Sequence, residues 1–130
     1  MVLMRNPRNG KEYHCSVEAA IDIIGGKWKP VILWHLRDGS LRFHELRKQL
    51  PNITQGMLTR QLRELEQDSA ISRAVFPEVP PRVEYSLTPF GETVIPILDS
   101  LCEWGNTFLE MTEEEEASRS GVCPNGERNK

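Results

Sequence analysis

Apolar positions recur every three or four residues along most of this chain and every second residue in one short stretch. The first period belongs to amphipathic helices and the second to half-buried strands. Val17, Ala20, Ile21 and Ile24 mark a first helix that begins near Cys15 or Ser16 and stops at Gly25-Gly26. Glu18, three residues after Cys15, sits where a capping-box acid would. Pro30 opens a second helix, since proline suits the first helical position. Its residues Val31, Ile32, Leu33, Trp34 and Leu36 are apolar nearly all round, which predicts burial. Asp38-Gly39 ends it.

A third helix runs from about Phe43 to Leu50. Phe43, Leu46 and Leu50 turn inward, and Arg42, Arg47 and Lys48 turn outward. Pro51-Asn52 breaks it, and a fourth helix follows at once, with Thr54 as its N-cap. Leu58, Leu62 and Leu65 form the apolar stripe of this helix. Gly56, Thr59, Arg60 and Arg63 lie opposite, a polar face expected to hold no acid. Two short helices joined this tightly predict a helix-turn-helix. The second has small residues near its start and arginines further along, as a major-groove helix requires.

After Asp68-Ser69 the period changes to two. Residues 71–76 and 83–87 read as strands. Between them Pro77-Glu78-Val79-Pro80-Pro81-Arg82 makes a stiff loop, because proline cannot donate to a ladder. A hairpin directly after such a helix predicts a wing, with Arg73 and Arg82 as its phosphate contacts. Thr88-Pro89 then caps a long last helix carrying Val94, Ile97, Leu98, Leu101, Trp104, Phe108 and Met111 at helical spacing. Pro96 should kink it. This stripe is long for the core left to it. It is expected to pack on the same stripe of a second subunit through Ile97, Leu98, Leu101, Trp104 and Phe108. Packing back on the first helix is the alternative.

The fold class expected is therefore α+β, mainly α: a winged helix-turn-helix over residues 15–112, with an N-terminal helix and a long C-terminal dimerisation helix. Residues 1–14 read as a flexible arm, and residues 113–130 as an acidic, then disordered, tail.

Charge sharpens this picture. The net charge of −3 is unusual for a nucleic-acid binder, but it is unevenly spread. From Lys27 to Arg63 there are eight cations and two acids, whereas Glu103 to Glu116 holds six acids and no cation. One face for nucleic acid and one remote face fit that split. No apolar run approaches the ~18 residues of a membrane span. Met1 to Gly10 lacks a signal-peptide core. A cytoplasmic protein is expected. Cys15, Cys102 and Cys123 lack the paired spacing of a zinc site, and His14, His35 and His44 do not complete one. No catalytic constellation, metal site or cofactor loop is present in the pattern, so no enzyme is expected.

These residues resemble the HxlR family of bacterial winged-helix transcription regulators, relatives of the MarR-type proteins. The resemblance rests on Cys15-Ser16-Val17-Glu18, Ile24-Gly25-Gly26-Lys27-Trp28, Arg42-Phe43-His44-Glu45-Leu46, Leu58 to Glu66, and Pro77 to Thr88. It covers Cys15 to about Phe108. It implies a homodimer that binds double-stranded operator DNA and regulates nearby genes, with repression the expected mode. The chain departs from the family at Ser69, where glycine is usual.

Base contacts are expected from Gln55, Gly56, Thr59, Arg60 and Arg63. Phosphate contacts are expected from Thr54, Arg42 and Lys48, and wing contacts from Arg82. Two such helices would sit about 34 Å apart on a near-palindromic site. Some family members sense oxidants or electrophiles through a cysteine matching Cys15. Here the start of the first helix favours a thiolate, with Lys11 and His14 near in sequence and Glu18 opposing. Cys102 reads as an inert packing residue and Cys123 as an incidental oxidation partner. Two other readings stay open: a winged helix that binds protein only, and a receptor whose small-molecule ligand sits near Trp28, Trp34 and Trp104.

Overall fold

The structure, a computed structural model, describes residues 4–6 and 10–112. The elements are β1 (Met4–Arg5), β2 (Glu12–Tyr13), α1 (Ser16–Ile24), α2 (Lys29–His35, continued by a 3₁₀ turn over Leu36–Asp38), β3 (Leu41–Arg42) and α3 (Phe43–Gln49). They continue with α4 (Gln55–Gln67), β4 (Ile71–Phe76), β5 (Arg82–Leu87), α5 (Pro89–Glu92) and α6 (Ile95–Thr112). One compact unit ends at Glu92 and a second starts at Thr93. The single domain expected over 15–112 is thus divided before α6.

The first unit is built on the stripes that the periodicity marks. Ile32, Leu33 and Leu36 from α2 and its extension, Leu46 from α3, Leu58, Leu62 and Leu65 from α4, and Ile71 from β4 are fully buried. Each such side chain contributes about 1.5–3 kcal/mol relative to exposure. β3, β5 and β4 form an antiparallel sheet in that order. Leu41 pairs with Tyr85, and β4 pairs with β5 from Ile71–Leu87 to Phe76–Arg82. The short strand β3, unmarked by any alternation, closes this sheet just ahead of α3.

Residues 4–6 and 10–13 differ from the flexible arm expected of 1–14. Met4–Arg5 pairs with Glu12–Tyr13, and Tyr13 is buried. The Tyr13 hydroxyl donates to Asp22 of α1 at 2.6 Å, and the Lys11 ammonium reaches the same carboxylate at 3.1 Å. A hairpin of two-residue strands gains its order from this anchor. Residues 1–3 and 7–9 lie outside the described residues, as does the tail expected over 113–130.

The helix ends follow the capping logic with two changes. The Glu18 carboxylate accepts from the His14 N–H at 2.7 Å, one residue earlier than the expected capping box. The last helix is interrupted: α5 ends at Glu92, a turn covers Thr93–Val94, and α6 starts at Ile95. Pro96 therefore occupies the first turn of α6 and produces no mid-helix kink. In that turn its missing N–H leaves no backbone bond unmade.

The turn from α4 into β4 is a Schellman closure. Ser69 adopts φ +65°, the Ala70 N–H donates to the Leu65 carbonyl at 2.9 Å, and the Ser69 N–H donates to the Glu66 carbonyl at 3.0 Å. Gly91 of α5 lies against the Ala70 carbonyl so closely that a Cβ there would collide with it.

Candidate nucleic-acid interface

The fourth helix begins as its sequence predicts. The Thr54 hydroxyl accepts from the Met57 N–H at 3.1 Å. With Leu58, Leu62 and Leu65 in the core, Gln55, Gly56, Arg60 and Arg63 are exposed. Thr59 is half-buried, and its hydroxyl donates back to the Gln55 carbonyl at 2.9 Å. Nothing lies within 4 Å of the place a Gly56 Cβ would take. The fold itself does not require glycine there, although glycine weakens a helix by up to about 1 kcal/mol relative to alanine. An absent side chain instead lets another molecule approach the backbone.

α3 supplies the second part of the face. Its N-cap residue Arg42 donates its backbone N–H to the Glu45 carboxylate at 2.7 Å, which consumes that acid in capping and leaves the Arg42 side chain exposed. Phe43, His44, Arg47, Lys48 and Gln55 line an open cleft of about 370 Å³ where α3 meets the start of α4. His44 and Arg47 were not among the expected contacts. The adjacent cations at 47 and 48 on the outer side of α3 were the available signal.

Two expectations are corrected. The polar face of α4 is not free of acid. Glu64 lies one turn below Arg60, with its Oε2 3.5 Å from the Arg60 Nε and its Oε1 2.8 Å from the Lys29 Nζ. The Lys29 hydrogen bond, ahead of a smaller opposing effect of burial, holds the Glu64 carboxyl below its ordinary range. Arg82 is not a free wing cation either. Its guanidinium pairs with Glu84 and Glu78, each at 2.8 Å, and stacks 4.1 Å from the Phe76 ring. The sequence places two carboxylates within four residues of Arg82, and strand pairing brings Phe76 directly opposite it. Arg73 on β4 is exposed and makes no ion pair among the described residues. The same holds for Arg63.

Among the expected dimer residues, Ile97, Leu101, Trp104 and Phe108 are exposed, Trp104 at 73%. They follow one another at four, three and four residues and share one face of α6. Leu98 is corrected: it is 5% exposed and lies about 100° around the helix from Ile97. Met111 continues the exposed face at 72%.

Cys15 is a free, exposed thiol at the N-cap of α1. The His14 Nδ1 stands 3.5 Å from the Glu18 carboxylate beside it. Cys102, expected to be inert packing, is half-buried and disulfide-bonded. Trp34 belongs to the core, and the Arg37 guanidinium stacks 4.1 Å from its ring. Trp28 is half-buried beneath the Lys27 ammonium. Among the described residues no three metal-ligating side chains gather, and no helix is long and apolar enough to cross a membrane.

A helix-turn-helix with a cationic outer face, followed at once by a β-hairpin and closed by a three-stranded sheet, defines the winged helix-turn-helix class. Residues 23–113 match the model of the HxlR-like helix-turn-helix family, and the chain belongs to that family. An HTH-type transcriptional regulator of Methanothermobacter thermautotrophicus is 62% identical over 97 residues, covering 75% of this chain and 74% of its own. The HTH-type transcriptional regulator YdeP of Bacillus subtilis is 50% identical over 122 residues, covering 89% and 95%. Among solved structures, the redox regulator HypR in its reduced form superposes with a TM-score of 0.73 at 50% identity, over 77% of this chain and 99% of its own. Its oxidized form gives 0.69 at 54%, over 72% and 96%. The chain is a helix-turn-helix transcriptional regulator and not an enzyme.

Proposed function

We propose that two copies of this chain associate through α6 and bind a near-palindromic operator in the cytoplasm, acting as a repressor. α4 enters the major groove, where Gln55, Gly56, Thr59, Arg60 and Arg63 meet base edges. Arg42, Arg47, Lys48 and Thr54 hold the flanking phosphates. The observation that carries this reading is the exposed cationic face of α4 and α3, together with a helical glycine that nothing inside the protein requires. Arginine binds guanine edges and phosphates in bidentate fashion. Arg73 replaces Arg82 as the wing cation, because Arg82 is committed to Glu78 and Glu84. The exposed α6 face supports association, since a row of large apolar side chains in water marks an interface.

The test is a duplex selected from a random pool by the wild-type chain. Arg63→Ala should bind it about tenfold more weakly and relax preference at one base pair per half-site. Equal affinity at matched salt, or a selected site without two-fold symmetry, overturns the assignment.

A redox response through Cys15 is supported by a separate observation: its thiol is exposed and free at the start of α1, and HypR is named a redox regulator. Oxidant should change the affinity of the wild-type chain for the selected duplex and leave Cys15→Ser unchanged. A Cys15→Ser chain that responds like the wild type removes Cys15 from the mechanism.

A further inference from the structure

Lys29 is the one buried charged side chain among the described residues, at 9% exposure. A buried ammonium is tolerated only when paired. Its partner is not on its own helix. It is Glu64 on α4, and Glu64 is also the i+4 neighbour of Arg60.

The two oxygens of Glu64 are divided unequally. Lys29 holds Oε1 at 2.8 Å, and Arg60 reaches Oε2 only at 3.5 Å. A cation placed four residues before an acid is also the weaker orientation of a helical ion pair. Lys29 therefore has the stronger hold on Glu64, and the Arg60 guanidinium is loosely kept and exposed.

We propose that Lys29 is a positioning residue for DNA recognition: by engaging Glu64 from inside the fold, it releases Arg60 and neutralises the carboxylate that would otherwise face the nucleic acid. The inference rests on the reading that α4 carries the DNA contacts. Without the Lys29 ammonium, Glu64 is a bare carboxylate one turn from Arg60. It would turn to Arg60, compete with guanine or phosphate for the guanidinium, and repel the backbone. Glu64 is partly open to water, so losing Lys29 strands no buried acid. The fold and the DNA effect are thus separable.

The experiment compares wild type, Lys29→Met, Glu64→Gln, the Lys29→Met/Glu64→Gln pair and Arg60→Ala. Each is assayed on the duplex selected by the wild-type chain, with thermal unfolding followed in parallel. Lys29→Met keeps the aliphatic stem in the core and should bind about tenfold more weakly. Glu64→Gln should bind at least as tightly as the wild type. The pair should recover to within about threefold of the wild type, because the acid that does the harm is gone. A merely structural role for Lys29 would leave the pair as weak as Lys29→Met, and that result overturns the proposal. Wild-type affinity in Lys29→Met overturns it too. Should Lys29→Met fail to fold, Glu64→Gln carries the test alone: binding at least as tight as wild type supports the proposal, and weaker binding overturns it. Arg60→Ala separates the two levels. If it binds as the wild type does, the reading of α4 fails. If it binds weakly while Lys29→Met does not, only the role of Lys29 falls.

Discussion

The Thr88 hydroxyl donates to the Ser69 carbonyl across 2.6 Å and accepts from the Gly91 N–H at 2.9 Å. One side chain thereby caps α5 and holds the turn that ends α4. Ser69 occupies the left-handed region in that turn, which glycine adopts at no steric cost and serine does not. Ser69→Gly should therefore stabilise the fold by up to about 1 kcal/mol. Thr88→Val should destabilise it by about 1–3 kcal/mol, through the orphaned Gly91 N–H and Ser69 carbonyl. Urea unfolding followed by circular dichroism measures both.

Gly56 separates stability from recognition. Open space surrounds its missing Cβ, so Gly56→Ala should stabilise α4 by a few tenths to about 1 kcal/mol. The added methyl would meet the DNA, and affinity for the selected duplex should fall several-fold. An alanine variant that is more stable and binds with unchanged affinity would show that no partner approaches the helix there.

Acid should weaken the first unit in two stages. His35 is held below its ordinary 6.5, chiefly by burial and next by the Arg37 charge. The unfolded chain then takes up that proton before the native one, so stability falls as pH drops below about 6.5. Glu64 lies below its ordinary 4.5, mainly through the Lys29 hydrogen bond, and Asp22 below its ordinary 3.8, mainly through the Tyr13 hydrogen bond. Their contributions are complete above those ordinary values and are lost as pH falls through the lower native ones. Midpoints of urea unfolding at successive pH values should trace both stages. His35→Gln should erase the upper one.

The α6 face should decide the oligomeric state. Leu101→Asp combined with Phe108→Asp places two carboxylates on the exposed apolar row, where association would bury them. Sedimentation should then report a monomer with undiminished helix content and lost DNA binding. A wild-type chain that is monomeric at micromolar concentration would refute the role given to this helix.

Much of the fold was legible because local rules and burial agree. The α4 stripe of Leu58, Leu62 and Leu65, the Thr54 cap, the break at Pro51-Asn52 and the limits of β4 at Ile71 and Phe76 all follow from period, cap and turn chemistry. These signals act within one or two turns of chain, so sequence neighbours suffice to read them. The interruption at Thr93–Val94 was half legible. Pro96 announced a disturbance, but whether proline kinks a helix or begins one depends on where the preceding helix stops. That stop, at Glu92, is carried by no period or cap signal in the sequence.

By itself the sequence determined the helix-turn-helix, its hairpin, and the sides of α2 and α4 that face the core; the stripe of α1 stays largely outside, with Val17 and Ile21 exposed and no residue of that helix buried. What only the tertiary structure decided is which charges remain free. Arg82 has Glu78 and Glu84 within four residues of chain, but only the folded hairpin turns both onto its guanidinium over Phe76, while Arg73 stays exposed. Lys29 and Glu64 stand thirty-five positions apart and meet at 2.8 Å only because α2 packs on α4. Ion pairing depends on distance in space, and a sequence reports only distance along the chain.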